Sequence, residues 1–242
     1  VANGLYDIKS LKNLRYILVQ GQSMVEELAQ FGLTNVRHVP NSKPITFESA
    51  IEPKAEDAAY RFVFLSRVHP HKGIKEICEA ATMLNNDGLS NRFSVDFYGK
   101  IEPSYEEEFT NLIQSVPNLT YKGFLNLTNN DGYQTLSGYD VMLFPTYWGG
   151  EGFPGIVIDA NMAGLPIIAS DWNMNREVIE DGKTGFIIPV HDSKALADYM
   201  KKFIYKEIEL PSMRRYCVEY VKQYDYRNVI SQELMCQLEF MK

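Results

Sequence analysis

A Rossmann-like, doubly wound and mainly parallel α/β sheet is the fold class this sequence predicts, on three observations. Short apolar runs alternate with helical segments from about position 61 to 190, the succession that builds βαβ units. The chain has 242 residues, 45% of them hydrophobic, which is ample for a core and for one or two domains. Arg67, Lys72, Gly99, Phe124 and Glu151 each fall just after a predicted strand. A parallel sheet gathers such positions around one crevice beyond its carboxyl ends, where ligands bind.

In chain order, residues 14–19, the helical stretch 23–31 and residues 36–41 read as the end of a preceding domain and its linker. Residues 62–66 are an apolar strand, 67–73 a loop carrying Arg67 and Lys72, and a helical pattern begins at Ile74. The next strand, 93–98, ends at Gly99, where a missing side chain lets the backbone approach a ligand. Residues 118–125 follow, and Phe124, an aromatic at a strand end, is expected in the core. Another apolar strand closes at Phe144 and Pro145, and the glycine-rich lead 146–150 re-aims Glu151 or forms a small flap. From Glu151 to Asp159 a glycine-proline turn opens a buried helix, with Pro154 in its first turn and Gly164 to Pro166 as its stop. A strand, a short helix and another strand follow in 164–171 and 177–189, and 213–242 is helical in pattern. The expected boundaries are 1–47 for the preceding domain, 48–200 for the sheet domain and 201–242 for terminal helices.

The chemistry follows from these placements. The open amides at the start of the 151–159 helix attract anions, phosphate above all, through unpaired N–H groups and the helix dipole. Glu151 brings a negative charge to the same place, so the ligand should carry hydroxyls as well as phosphate, and a sugar nucleotide carries both. Asp159, further along the helix, is a natural acceptor for ribose hydroxyls. Fixed cations aimed at a departing diphosphate typically supply about 3 kcal/mol each of transition-state stabilisation. Arg67 can clamp two oxygens, whereas Lys72 acts as a point charge.

Glu151 and Asp159, with seven residues between them, resemble the two-acid signature of retaining glycosyltransferase family 4, whose members have the GT-B fold. The second acid here is one methylene shorter than the family's glutamate. Arg67 and the Lys72-Gly73 step resemble the family's arginine and lysine-glycine loop, and the likeness covers about positions 60 to 200. It implies the C-terminal, donor-binding half of a GT-B enzyme that transfers a sugar from a nucleoside-diphosphate sugar with retention. Glu151 is then the catalytic residue, holding sugar hydroxyls or steadying developing positive charge. Arg67 and Lys72 take the diphosphate, and Asp159 the ribose. Gly99, Lys100, Phe124, Leu125, Gly152, Phe153, Pro154 and Gly155 complete the donor contacts, the segment at 118–125 lying against the base. The glycine-phenylalanine-proline form after Glu151 resembles transferases that build bacterial surface polysaccharides. The acceptor, a sugar or a lipid-linked sugar, belongs to a missing N-terminal domain, and membrane contact, if any, belongs there too. The alternatives are a nucleotide-sugar-binding module without catalysis, or a GT-B epimerase.

Composition narrows the classes further. A net charge of −7 argues against a nucleic-acid partner. Three unpatterned cysteines argue for reduced thiols. With no secretory pattern at the N-terminus, a cytoplasmic location is expected. No Asp-x-Asp pair occurs, so the expected cofactor set is none and no metal is required. Of four histidines, His69 and His71 flank the phosphate loop and are the two to test, while His38 and His191 read as solvated.

Overall fold

A computed structural model describes residues 8–49 and 58–238. Residues 1–7, 50–57 and 239–242, which include the outer ends of the expected first and last segments, lie outside them. The chain forms two compact units, one of residues 46–221 and the other of residues 1–45 with 222–242.

In the smaller unit, α1 (Ile8–Leu11) precedes β1 (Ile17–Val19), α2 (Gln22–Gln30) and β2 (Val36–His38), and the two strands pair in parallel. Val19, Leu28, Leu33 and Val36 are its buried cluster. Past β2, Lys43 N–H donates to Tyr224 O at 3.0 Å and Lys43 O accepts from Tyr226 N–H at 3.1 Å. Between them, the Asp225 carboxylate accepts from Ile45 N–H at 3.3 Å and is held well below the usual carboxylate range by Arg227.

The larger unit is a six-stranded sheet, parallel in every pairing, of order β5-β4-β3-β6-β7-β8. Its strands are β3 (Tyr60–Leu65), β4 (Phe93–Tyr98), β5 (Leu119–Tyr121), β6 (Val141–Phe144), β7 (Ile167–Ser170) and β8 (Gly185–Ile188). The helices between and after them are α3 (Ile74–Asn86), α4 (Glu106–Gln114), α5 (Asn130–Ser137), α6 (Gly155–Met162), α7 (Asn175–Val178), α8 (Ser193–Ile204) and α9 (Leu210–Tyr220). Successive strand residues face opposite sides, and helices cover both, so central strands read as unbroken apolar runs. Phe62 and Phe64 pack with Ile77, Phe97, Leu143, Leu196 and Phe203, while Val63, Met142 and Ile167 between such positions are equally buried. The chain runs outward from β3 through β4 to β5, then crosses back to β6 and runs the other way. The reversal falls between β3 and β6, the switch point where the crevice opens.

Three expectations are corrected. The sheet unit continues past 200, because that boundary falls inside α8, whose Leu196, Met200, Phe203 and Ile204 belong to the core, as do Leu210 and Met213 of α9. Arg214 of α9, buried, donates to Ser137 O and Tyr139 O at 2.8 Å each and so closes the end of α5. The helical pattern after 213 is broken: α9 ends at Tyr220, and α10 (Tyr226–Val229) and α11 (Gln232–Gln237) start from the caps Asp225 and Ser231. Pro154 is the N-cap of α6 with φ −75° and ψ 100°, one residue before the helix proper. Among the described residues no helix is long and apolar enough to cross a membrane.

Candidate functional site

The loop after β3 is shaped by its own side chains. His69 caps a single 3-10 turn, Pro70–Lys72, its Nδ1 accepting from His71 N–H at 3.1 Å. Gly73 ends the turn at φ 76° and ψ 24°, and a Cβ there would lie 2.2 Å from Pro145 O. The turn is also tied to the segment after β6: Tyr147 N–H donates to His71 O at 2.9 Å and Tyr147 Oη to Pro70 O at 3.0 Å. This closeness at the switch point brings Lys72 to Glu151, 79 residues on, as an ion pair with side chains 9% and 14% exposed. Thr146 Oγ1 donates to the same Glu151 oxygen at 3.1 Å.

The lead 146–150 does not stand off as a flap. Trp148 to Glu151 is a tight turn closed by Glu151 N–H donating to Trp148 O at 2.9 Å. The loop after β7 clasps both ends of it, Trp172 Nε1 donating to Trp148 O at 2.8 Å and Asn173 Nδ2 to Glu151 O at 2.6 Å. Asn173 adopts φ 44°, a left-handed conformation that asparagine tolerates better than most residues. Sequence reasoning missed Thr146, Trp148, Trp172 and Asn173; the available signal was that both of the chain's tryptophans fall near this site.

Of the remaining expected residues, Arg67 is exposed, with its guanidinium 5.7 Å from the Trp148 ring centre. Gly99 has φ 143°, and a Cβ there would lie 1.7 Å from Ser66 O, so the neighbouring loop already demands glycine. Phe124, expected in the core, is 76% exposed. With Lys100, Tyr121 and Glu106 it lines a cavity of about 520 Å³ beyond the ends of β4 and β5. Leu125 is half-buried beside it, Gly152 is exposed, and Phe153 and Pro154 are buried under the turn, with Gly155 opening α6. Asp159, in the second turn of α6, is 4% exposed and accepts from Tyr133 Oη of α5 at 2.7 Å. Burial, reinforced by Asp159, pushes the Tyr133 phenol well above its ordinary range. Pro154 offers no side-chain acceptor and its carbonyl takes Val157 N–H, at 2.9 Å, so the amides of Gly155 and Ile156 start α6 without a side-chain cap.

Histidines border the loop. The His69 ring stands 4.5 Å from Trp148 and 5.1 Å from His71. His191, expected to be merely solvated, has Nδ1 2.7 Å from Glu76 Oε1 and its ring 4.1 Å from Tyr147. Burial first, then His71, with Arg67 and Lys72 in support and Glu102 opposing, lowers the His69 pKa below its ordinary 6.5. A depressed histidine pKa favours the neutral folded form, so its contribution is complete above about pH 6.5 and is lost as pH falls below it. Protonation of Nδ1 also removes the acceptor that caps the turn. In a pH titration followed by NMR, the His69 midpoint is expected below 6.5, with His71 amide protection falling alongside; a midpoint above 6.5 contradicts this. Among the described residues no cluster of His, Cys, Asp or Glu is arranged to hold a metal ion.

A doubly wound parallel sheet with a cation-bearing loop after β3, an acid after β6 and a helix start between its halves places these groups at the switch point, where α/β proteins of this class bind their ligands. The family described as Glycosyl transferases group 1 matches residues 46–224, and the chain belongs to that family. It is 36% identical over 84 residues to the phosphatidyl-myo-inositol mannosyltransferase of Mycobacterium leprae, covering 35% of this chain and 22% of that protein. It is 25% identical over 144 residues to the capsular polysaccharide biosynthesis glycosyltransferase CapM of Staphylococcus aureus, covering 60% and 36%. The chain therefore spans only about a fifth to a third of the length of these relatives. The fold is shared with Anabaena HepE in complex with UDP and glucose, at a TM-score of 0.75 and 15% identity over 98% of this chain and 68% of that one.

Proposed function

We propose that this chain is the donor-binding, C-terminal half of a GT-B glycosyltransferase of the retaining family 4, with residues 1–47 belonging to the acceptor-binding domain. The observation that carries the reading is the convergence of Lys72, Glu151 and the start of α6 at the β3/β6 switch point. The substrate is a nucleoside-diphosphate sugar. Its diphosphate meets Arg67, Lys72 and the amides at Gly155, its sugar meets Glu151, and its ribose meets Asp159. The exposed face of Phe124 and the cavity it shares with Lys100 receive the base end, stacking being sequence-tolerant for any base.

In the reaction, the bond from the anomeric carbon to the diphosphate oxygen breaks and an acceptor oxygen takes its place. The acceptor proton leaves with the diphosphate or to solvent. Arg67 and Lys72 stabilise charge on the leaving group, and Glu151 stabilises the electron-poor sugar. Residues of this chain supply these charges without a metal ion. The acceptor is a sugar or lipid-linked sugar, and the product a surface polysaccharide or glycoconjugate made in the cytoplasm. The capsular polysaccharide biosynthesis of CapM and the UDP and glucose bound to HepE support this direction.

The test is the thermal stability of the chain with UDP, GDP and ADP and their sugar conjugates. A ligand at about a hundred times its dissociation constant stabilises by roughly 2.7 kcal/mol. A shift with one base, lost in Arg67→Ala, is expected; equal shifts in wild type and Arg67→Ala would sink the phosphate assignment.

A further inference from the structure

We propose that Trp148 is a positioning residue that seats Arg67 for a nucleoside diphosphate, an inference that rests on the donor-site reading above. Arg67 has a long side chain, is exposed, and makes no ion pair or hydrogen bond among the described residues. Apart from its charge effect on His69, its neighbour is the face of Trp148, 5.7 Å from guanidinium carbon to ring centre. A free arginine loses much rotamer entropy when it engages an anion, so a surface that restricts it beforehand raises affinity.

Trp148 is built to be that surface, because it is held from several sides. Its carbonyl accepts from Trp172 Nε1 and from Glu151 N–H, and its own N–H donates to Thr146 Oγ1 at 3.3 Å. His69 meets its ring at 4.5 Å with planes 74° apart. Gly150 leaves room for the indole, since a Cβ there would stand 2.7 Å from Nε1. A guanidinium drawn to a ring face at this distance by cation–π attraction keeps its N–H edges free, the edges that grip phosphate oxygens in pairs. The glycine-rich lead before Glu151 thus serves the anion side of the site through its tryptophan.

The test is a double-mutant cycle on the 242-residue chain, reading the dissociation constant for UDP, GDP or ADP by calorimetry, with the melting midpoint of each variant as the check on folding. Trp148→Leu is expected to weaken binding by about tenfold, Trp148→Phe by much less, and Trp148→Leu to add little once Arg67 is alanine. Losses that add in full across the cycle, or no rescue by phenylalanine, overturn the inference and leave the donor site standing. Should Trp148→Leu not fold, Trp148→Met takes its place, keeping apolar contact without a π face. If wild type binds none of the three nucleotides, the donor-site reading falls and this inference falls with it.

Discussion

Lys72→Met is expected to lower the stability of the sheet unit by about 3–5 kcal/mol, because it leaves the Glu151 carboxylate largely out of water without its counter-charge. The remaining partner, the Thr146 hydroxyl, is a neutral donor and offsets only part of that cost. In a unit of this size the melting midpoint moves roughly 2–4 °C per kcal/mol, so a fall of about 10 °C is anticipated. Adding Glu151→Gln to Lys72→Met removes the stranded charge and should recover much of the loss, although neither protein is expected to use donor normally. Calorimetry on the wild type, both single variants and the double variant decides it. An unchanged midpoint in Lys72→Met would mean that solvent already screens the pair.

The second large effect is expected from Gly73→Ala. The left-handed conformation alone costs about 1–2 kcal/mol for a residue with a Cβ. At this position the new carbon also falls 2.2 Å from the Pro145 carbonyl oxygen, an atom of rigid backbone at the end of β6. Loop and strand end cannot both keep their places, so the ion pair across them separates too. A loss above about 3 kcal/mol is expected, together with weaker nucleotide binding. Gly88 is the control, having φ 78° but open space around its missing side chain. If Gly88→Ala and Gly73→Ala melt alike, the close approach to Pro145 contributes nothing.

The succession of strands and the positions of Arg67, Lys72, Gly99 and Glu151 at their ends were legible because buried parallel strands are continuous apolar runs cut off by glycine, proline or a charge. Phe124 was misread for a physical reason. Strand β5 is three residues long and sits at the sheet edge with one neighbour, so the chain leaving it is already on the rim. The boundary at 200 failed because α8 and α9 carry the same amphipathic signal as a peripheral tail, and nothing local says that the sheet still needs their apolar faces. The pairing of Lys72 with Glu151 and the clasp of Trp172 and Asn173 on the turn join residues 22 to 79 apart. They depend on how two loops meet, which local pattern does not encode.

The bridge between Lys43 and Tyr224 to Tyr226 has a consequence for how the chain is made. Residues 46–221 leave the ribosome as one uninterrupted stretch and can collapse around their own sheet as they emerge. Residues 1–45 come out earlier, yet the partners of Lys43 and Ile45 follow some 180 positions behind, as for Asp225. At ordinary synthesis rates that delay is roughly ten to forty seconds. During it, the earlier segment waits with its late hydrogen-bond partners still unsynthesised while the later-made sheet matures. Of the two units, the one whose strands precede the sheet in the chain is therefore completed after it, and it is where a nascent chain is most open to chaperones or to a wrong partner.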